Sequence, residues 1–148
     1  MPIVSPPPPP LYSLVQLFEL NRKHGFPPVV AVAMAAVAMR ESSGNPLSFN
    51  DNPKTKDLSY GLYQINLYGE LGVARLKQFR EQLGLKRPED LLDADMNARA
   101  AKLIWAGDNN NLRIAWAIDL EAGGYKQRYE IHLPAAVHAA LSSPESLN

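Results

Sequence analysis

The run VVAVAMAAVAM, Val29 to Met39, constrains the fold of this chain more than any other stretch. Its 11 residues make three turns of helix but cannot span a bilayer, which takes about 20. A helix that is apolar on every side has no face to offer water, so the rest of the fold must cover it. Arg22, Lys23 and His24 precede it, as basic residues precede the apolar core of a signal peptide. However, Pro27 and Pro28 intervene, and the run lies inside the chain rather than at its start. A buried central helix fits these facts. It ends abruptly: Arg40 and Glu41 close it, and Ser42-Ser43-Gly44-Asn45-Pro46 then forces a turn.

A chain of 148 residues, 46% of them apolar, is sized for one domain around one core. Lys and Arg total 15, Asp and Glu total 15, and the two signs balance in each half, so no broad basic face for nucleic acid is expected. The absence of cysteine excludes disulfides, thiolate nucleophiles and cysteine-based zinc sites. His24, His132 and His138 form no i, i+4 pair, and neither GxxxxGK[ST] nor GxGxxG occurs. No metal and no cofactor is therefore expected.

Residues 1–10, MPIVSPPPPP, read as a proline-rich extended arm, a linker or a polyproline ligand, ahead of a domain over residues 11–148. Helix is expected from Leu11, with Leu14, Val15 and Phe18 on one stripe, Arg22-Lys23-His24 at its C-terminal end and Gly25 as stop. Pro27-Pro28 then opens the central helix. The segment from Ser43 to Ser59 is dense in Gly, Pro, Asn, Asp and Ser and predicts a long irregular loop with a small hairpin. Beyond it, ELGVARLKQFREQLG puts Val73, Leu76, Phe79 and Leu83 on one helical face, with Gly84 as stop. PEDLLDADMNARAAKLIWAG reads as one helix, and NLRIAWAIDLEAGG as another, with Asn111 as N-cap and Leu112, Trp116 and Leu120 in line. The end, YKQRYEIHLPAAVHAAL, reads as two short helices split at Pro134. The expected class is mainly α, with a small β region near residues 47–66.

Glu41 is the candidate for chemistry. A carboxylate at the last turn of a buried apolar helix is partly desolvated, and it faces the partial negative charge of the helix C-terminus. Both effects raise its pKa, and an acid kept protonated near neutral pH can protonate a poor leaving group. Arg40 points about 100° away on an ideal helix and need not neutralise it. The ordinary alternative is a solvated glutamate at a helix end, paired with a lysine. Downstream, SYGLYQIN sets Gln64 and Asn66 beside a glycine, and Tyr60, Tyr63 and Tyr68 offer flat faces that suit either sugar rings or core packing.

ESSGNP followed by SYGLYQIN resembles the lysozyme-like superfamily, in particular the lytic transglycosylases with their ESxxNP and GLxQI motifs. NARAAKLIWAG is similar to that family's Asn-Ala-x-x-Ala helix, and IAWAIDLEAGGYKQRY to its late Trp/Tyr segment. The resemblance implies an α+β lysozyme-like fold that cleaves the β-1,4 bond between N-acetylmuramic acid and N-acetylglucosamine in peptidoglycan. Glu41 matches the catalytic acid. Ser42 and the strip Tyr60, Gly61, Leu62, Tyr63, Gln64, Ile65 and Asn66 match the wall of the glycan cleft. Animal-type lysozymes carry a second carboxylate two residues before the strip's glycine, where this chain has Ser59. That departure favours the transglycosylase route, with Glu41 as acid and then base and the substrate's own N-acetyl and 6-hydroxyl groups completing the reaction. Asp57 or Asp51 could instead supply a second carboxylate for a hydrolytic muramidase, Asp57 being otherwise a turn residue. The late segment has Ala115-Trp116-Ala117 where transglycosylases commonly show Ala-Tyr-Asn, so Tyr125 or Tyr129 is the candidate for a hydroxyl near the acid.

The expected partner is peptidoglycan, acted on by a monomer or by part of a virion or secretion assembly, without nucleic acid or membrane insertion. A phage endolysin or virion-associated enzyme, made in the bacterial cytoplasm without a signal peptide, is the expected setting. The competing classes are a non-catalytic glycan-binding module on the same fold and a helical interaction domain that displays the proline arm.

Overall fold

The computed structural model describes residues 10–108 and 125–143, the side chains of 125–130 excepted. Within them α1 (Leu14–Lys23) and α2 (Pro28–Ser42) lead into a sheet of β1 (Phe49–Asn52), β2 (Asp57–Tyr60) and β3 (Ile65–Asn66). There follow α3 (Gly69–Leu83), a 3₁₀ turn (Pro88–Leu92), α4 (Ala94–Gly107) and α5 (Tyr125–Leu141). The strands run antiparallel in the order β1-β2-β3. The molecule is thus mainly α with a small sheet within residues 47–66, as the sequence predicts. No helix among the described residues is long and apolar enough to cross a membrane.

The central helix is α2. Pro28 occupies its first turn, where amide hydrogens lack intrahelical partners, and Ala31 and Met34 to Ala38 are buried against α1 and α5. Small alanines let the neighbouring helices approach closely. Asn21, fully buried on α1, donates from Nδ2 to the Ala31 carbonyl at 3.0 Å and accepts from the Tyr63 hydroxyl. One buried amide thereby joins α1, α2 and the segment after β2.

A second buried amide joins the sheet to α4. Asn97 accepts from the Tyr63 N–H at 2.9 Å and donates to the carbonyls of Tyr60 and Leu91 at 2.8 Å each. The backbone runs so close here that a Cβ on Gly61 would lie 2.3 Å from Asn97 Nδ2, and Gly61 also has φ +76°. The glycine of SYGLYQIN is needed on both counts.

Four local expectations are corrected. The first helix starts at Leu14 rather than Leu11, because Ser13 and Gln16 form a reciprocal capping box that fixes its start. PEDLLDADMNARAAKLIWAG is two elements, since the Asp93 side chain caps α4 by accepting from the Met96 N–H at 2.9 Å. Val73 is 70% exposed while Gly72 faces inward, where a Cβ would lie 1.7 Å from the Leu67 carbonyl oxygen. Finally, α5 runs unbroken through Pro134. Its buried Ala136, Ala139 and Ala140 pack on the other helices, which compensates for the hydrogen bond that the proline cannot donate. The expected helix with Asn111, Leu112, Trp116 and Leu120, the arm before Pro10, and the side chains of Tyr125 and Tyr129 lie outside the described residues.

Candidate functional site

At its C-terminus α2 stops because Ser43 takes the left-handed conformation, φ 55°, and Gly44 follows at φ 79°. Tyr12 braces this turn by donating its N–H to the Gly44 carbonyl at 2.8 Å. The chain leaves at a sharp angle and returns as β1, which opens a cavity of about 490 Å³ beside the helix end. Its walls are Met39, Arg40, Glu41 and Ser43 from α2 and its cap, Asn50 from β1, Gln64 from the turn before β3, and Ile131 and His132 from α5.

Glu41 is the one carboxylate of that wall among the described residues, and its side chain is 18% exposed. Burial pushes its pKa above the ordinary carboxylate value, the Arg40 guanidinium pulls it down, and the negative charge of Asp57 pushes it up again. The net effect is upward. The expectation that Arg40 points away is corrected: Arg40 Nη1 donates to Glu41 Oε1. Both side chains are under a fifth exposed, so this ion pair is largely withdrawn from bulk water.

Gln64 also sits in the left-handed region, φ 47°. Its Nε2 donates to the carbonyls of Ser48 at 3.1 Å and Gly61 at 3.0 Å, while the Gly61 N–H donates to the same Ser48 carbonyl at 2.7 Å. The amide is locked by its nitrogen, and the residue lines the cavity. A non-glycine residue held at positive φ on such a wall is backbone strain maintained by its surroundings.

Strand register sorts the loop carboxylates. Asn50 pairs with Ser59, Asn52 with Asp57, and Ser59 with Asn66, so these side chains share one face of the sheet. Asn50 lines the cavity, and Asp57 is therefore on the cavity side, which agrees with its effect on Glu41. Asp51 pairs with Leu58 on the opposite face, where Tyr60 also lies; burial raises the pKa of Tyr60, and the charges of Glu89 and then Asp51 add to that. Asp57 also accepts from the Thr55 hydroxyl at 2.5 Å, so it serves the hairpin turn as well.

Of the expected cleft strip, Gln64 alone lines the cavity. Leu62, Tyr63 and Ile65 are at most 2% exposed and fill the core, because the turn over residues 61–64 folds onto α4. Tyr60 is buried and packs its ring on Phe49, centroids 5.0 Å apart. Asn66 braces the hairpin, accepting from the Leu58 N–H at 3.0 Å and donating to the Lys56 carbonyl at 3.0 Å. Ser42 is buried and donates to the Ala38 carbonyl at 2.9 Å, leaving Ser43 at the wall. Ser59 is buried within the sheet. Asn50, Ile131 and His132 had no local signal in the sequence, since only the packing of distant elements brings them to Glu41. Among the described residues, no group of three or more histidine, aspartate or glutamate side chains could hold a metal ion.

A family model described as a lysozyme-like domain matches residues 18–118, more than half of the chain. Neither the curated proteins nor the solved structures include a match.

Proposed function

The chain belongs to the lysozyme-like domain family, whose members are in general peptidoglycan-acting glycosidases, and from that premise we propose that it is a lytic transglycosylase. The observation that carries this reading is Glu41 itself, a mostly buried carboxyl with a raised pKa on the wall of an open cavity. Such a group holds its proton at pH values where an ordinary carboxylate has lost it, and can deliver it to a glycosidic oxygen.

In the proposed sequence the Glu41 proton passes to the bridging oxygen and the C1–O bond of N-acetylmuramic acid breaks. The carbonyl oxygen of the sugar's own 2-acetamido group closes on C1 and takes up the positive charge. Glu41, now a carboxylate, removes the proton of the 6-hydroxyl, whose oxygen attacks C1 and displaces the acetamido oxygen. The product carries a 1,6-anhydro ring, no water is consumed, and Glu41 ends as it began. Gln64, Asn50 and Ser43 on the cavity wall supply hydrogen-bonding groups to the glycan.

One observation favours a second reading. Asp57 is on the cavity face of the sheet and its charge is felt at Glu41, as a carboxylate that holds a water for an inverting muramidase would require. Digestion of purified peptidoglycan decides between the two. Products lighter by one water, with anhydro ends, are expected; reducing ends would show hydrolysis. Glu41→Gln should lower lysis by about 100-fold or more, and undiminished lysis would remove Glu41 from the chemistry. Asp57→Asn should leave the rate within a few-fold, whereas hydrolysis through Asp57 requires a large loss.

A further inference from the structure

Beside the junction of α1 with α4 lies a groove of about 380 Å³ that has no part in the chemistry above. Lys23, His24 and Gly25 form one side, and Arg99 and Lys102 of α4 form the other. The chain as a whole has as many acidic as basic residues, 15 of each, so a local excess of one sign is informative. Asp95 is the neighbouring acid. It accepts from Lys23 Nζ at 3.0 Å and from His24 Nε2 at 2.6 Å, and these partners hold its pKa below the ordinary value. Among the described residues, three basic side chains, Lys23, Arg99 and Lys102, thus stand against one carboxylate, a formal net charge of +2 before His24 is counted.

Lys23 and His24 have an ordinary reason to be there, because cations at the end of α1 complement its negative pole. Arg99 and Lys102 have no such reason. They stand within α4, and among the described residues neither forms an ion pair with a carboxylate. Lys102 is held in position nonetheless. Its ammonium lies 6.0 Å from the centroid of the Phe26 ring and against Gly25, where a Cβ would be only 2.9 Å from Nζ. A cation near an aromatic face on the wall of a groove, with no counter-charge among the described residues, is arranged for an anion from outside.

We propose that this groove binds a phosphate-bearing ligand. Its net charge matches a dianion better than a single carboxylate, and the Arg99 guanidinium can present two parallel N–H groups to adjacent oxygens while Lys102 adds a point charge. Leu83 and Leu103 give the groove an apolar side for the carbon skeleton that carries the phosphate. The site lies near the start of α2, and Glu41 lies 13 residues beyond Pro28, about 20 Å along a helix. A ligand in the groove therefore does not compete with one in the Glu41 cavity.

Two probes distinguish a soluble phosphate from a lipid headgroup. Glycerol 3-phosphate is titrated into the full chain while the amide resonances of Gly25, Lys102 and Leu103 are followed, with glycerol as control. Vesicles of phosphatidylglycerol, against uncharged detergent micelles, test co-sedimentation. Saturable shifts with glycerol 3-phosphate alone identify a soluble ligand, and co-sedimentation identifies a lipid headgroup. In either case Arg99→Gln/Lys102→Gln should weaken binding about tenfold or more, whereas Lys102→Arg, which keeps the positive charge and leaves the Arg99 fork in place, should retain most of it. The single glutamine variants give the same answer if the double variant does not fold. Absence of saturable binding to both probes, equal shifts with glycerol, or binding retained by the glutamine variants would each overturn the proposal.

Discussion

Arg40 and Glu41 set one carboxyl's proton affinity between opposing effects. Burial raises the pKa of Glu41, and the adjacent guanidinium lowers it by charge and by hydrogen bond. Arg40→Gln keeps most of the side chain's bulk and removes the cation, so the pKa of Glu41 should rise further. A general acid works while protonated, and its rate falls as pH rises through its pKa. The alkaline limb of the lytic pH profile should therefore move to higher pH in this variant, and an unmoved limb would show that Arg40 does not govern Glu41. Stability gives an independent readout. The folded protein raises Glu41 above its ordinary value of 4.5, so it favours the neutral form. The corresponding stabilisation is fully present below the unfolded pKa and is lost as pH rises through the folded one. Glu41→Gln, neutral at every pH, should match the parent's Tm in acid and exceed it at higher pH. A Tm difference that does not change with pH would contradict the raised pKa.

At the scale of elements, the buried amides of Asn21 and Asn97 determine where the sheet meets the helices. Asn97→Ala would leave the Tyr63 N–H and the Tyr60 and Leu91 carbonyls without their partner in a dry interior, a loss of about 3 kcal/mol or more. Because Gln64 leans on the Gly61 carbonyl beside them, lysis should fall even under conditions where the variant is fully folded. Thermal melts and single-temperature assays together separate the two effects. Features fixed by neighbours in sequence were legible in advance: the proline start of α2, the glycine stops at Gly25 and Gly84, the turn after Glu41, and the strand region near residues 47–66. Features fixed by distant contacts were not. Gly72 replaces Val73 on the inner face because the Leu67 carbonyl occupies the space a side chain would need. Tyr63 turns inward because Asn21 and Asn97 wait for its hydroxyl and its N–H. A helix crosses Pro134 because the alanines beyond it have a surface to cover. His132 reaches Glu41's cavity by the same long route.

For the whole molecule, the cavity exists because three separate parts meet at the end of α2: the left-handed turn at Ser43, the β1 edge with the Gln64 turn, and α5. Tyr12, in the segment before α1, belongs to this arrangement. Tyr12 donates to the Gly44 carbonyl, and its own carbonyl oxygen would lie 2.3 Å from a Cβ on Gly44, so this segment and the turn touch through bare backbone. Ser13 then caps α1. We propose that residues 1–10 are a linker rather than part of the domain. Two truncations test this. Removing residues 1–10 should leave both Tm and lysis near the parent values, because the Tyr12 brace and the Ser13 cap remain. Removing residues 1–13 deletes both. The lost cap alone costs about 1 kcal/mol, and the freed Gly44 turn releases Ser43 and Glu41 from their fixed positions, so lysis should fall more steeply than Tm. If the shorter truncation abolishes lysis, the arm is part of the machinery. If the longer one leaves lysis intact, the turn after Glu41 holds its shape without the brace.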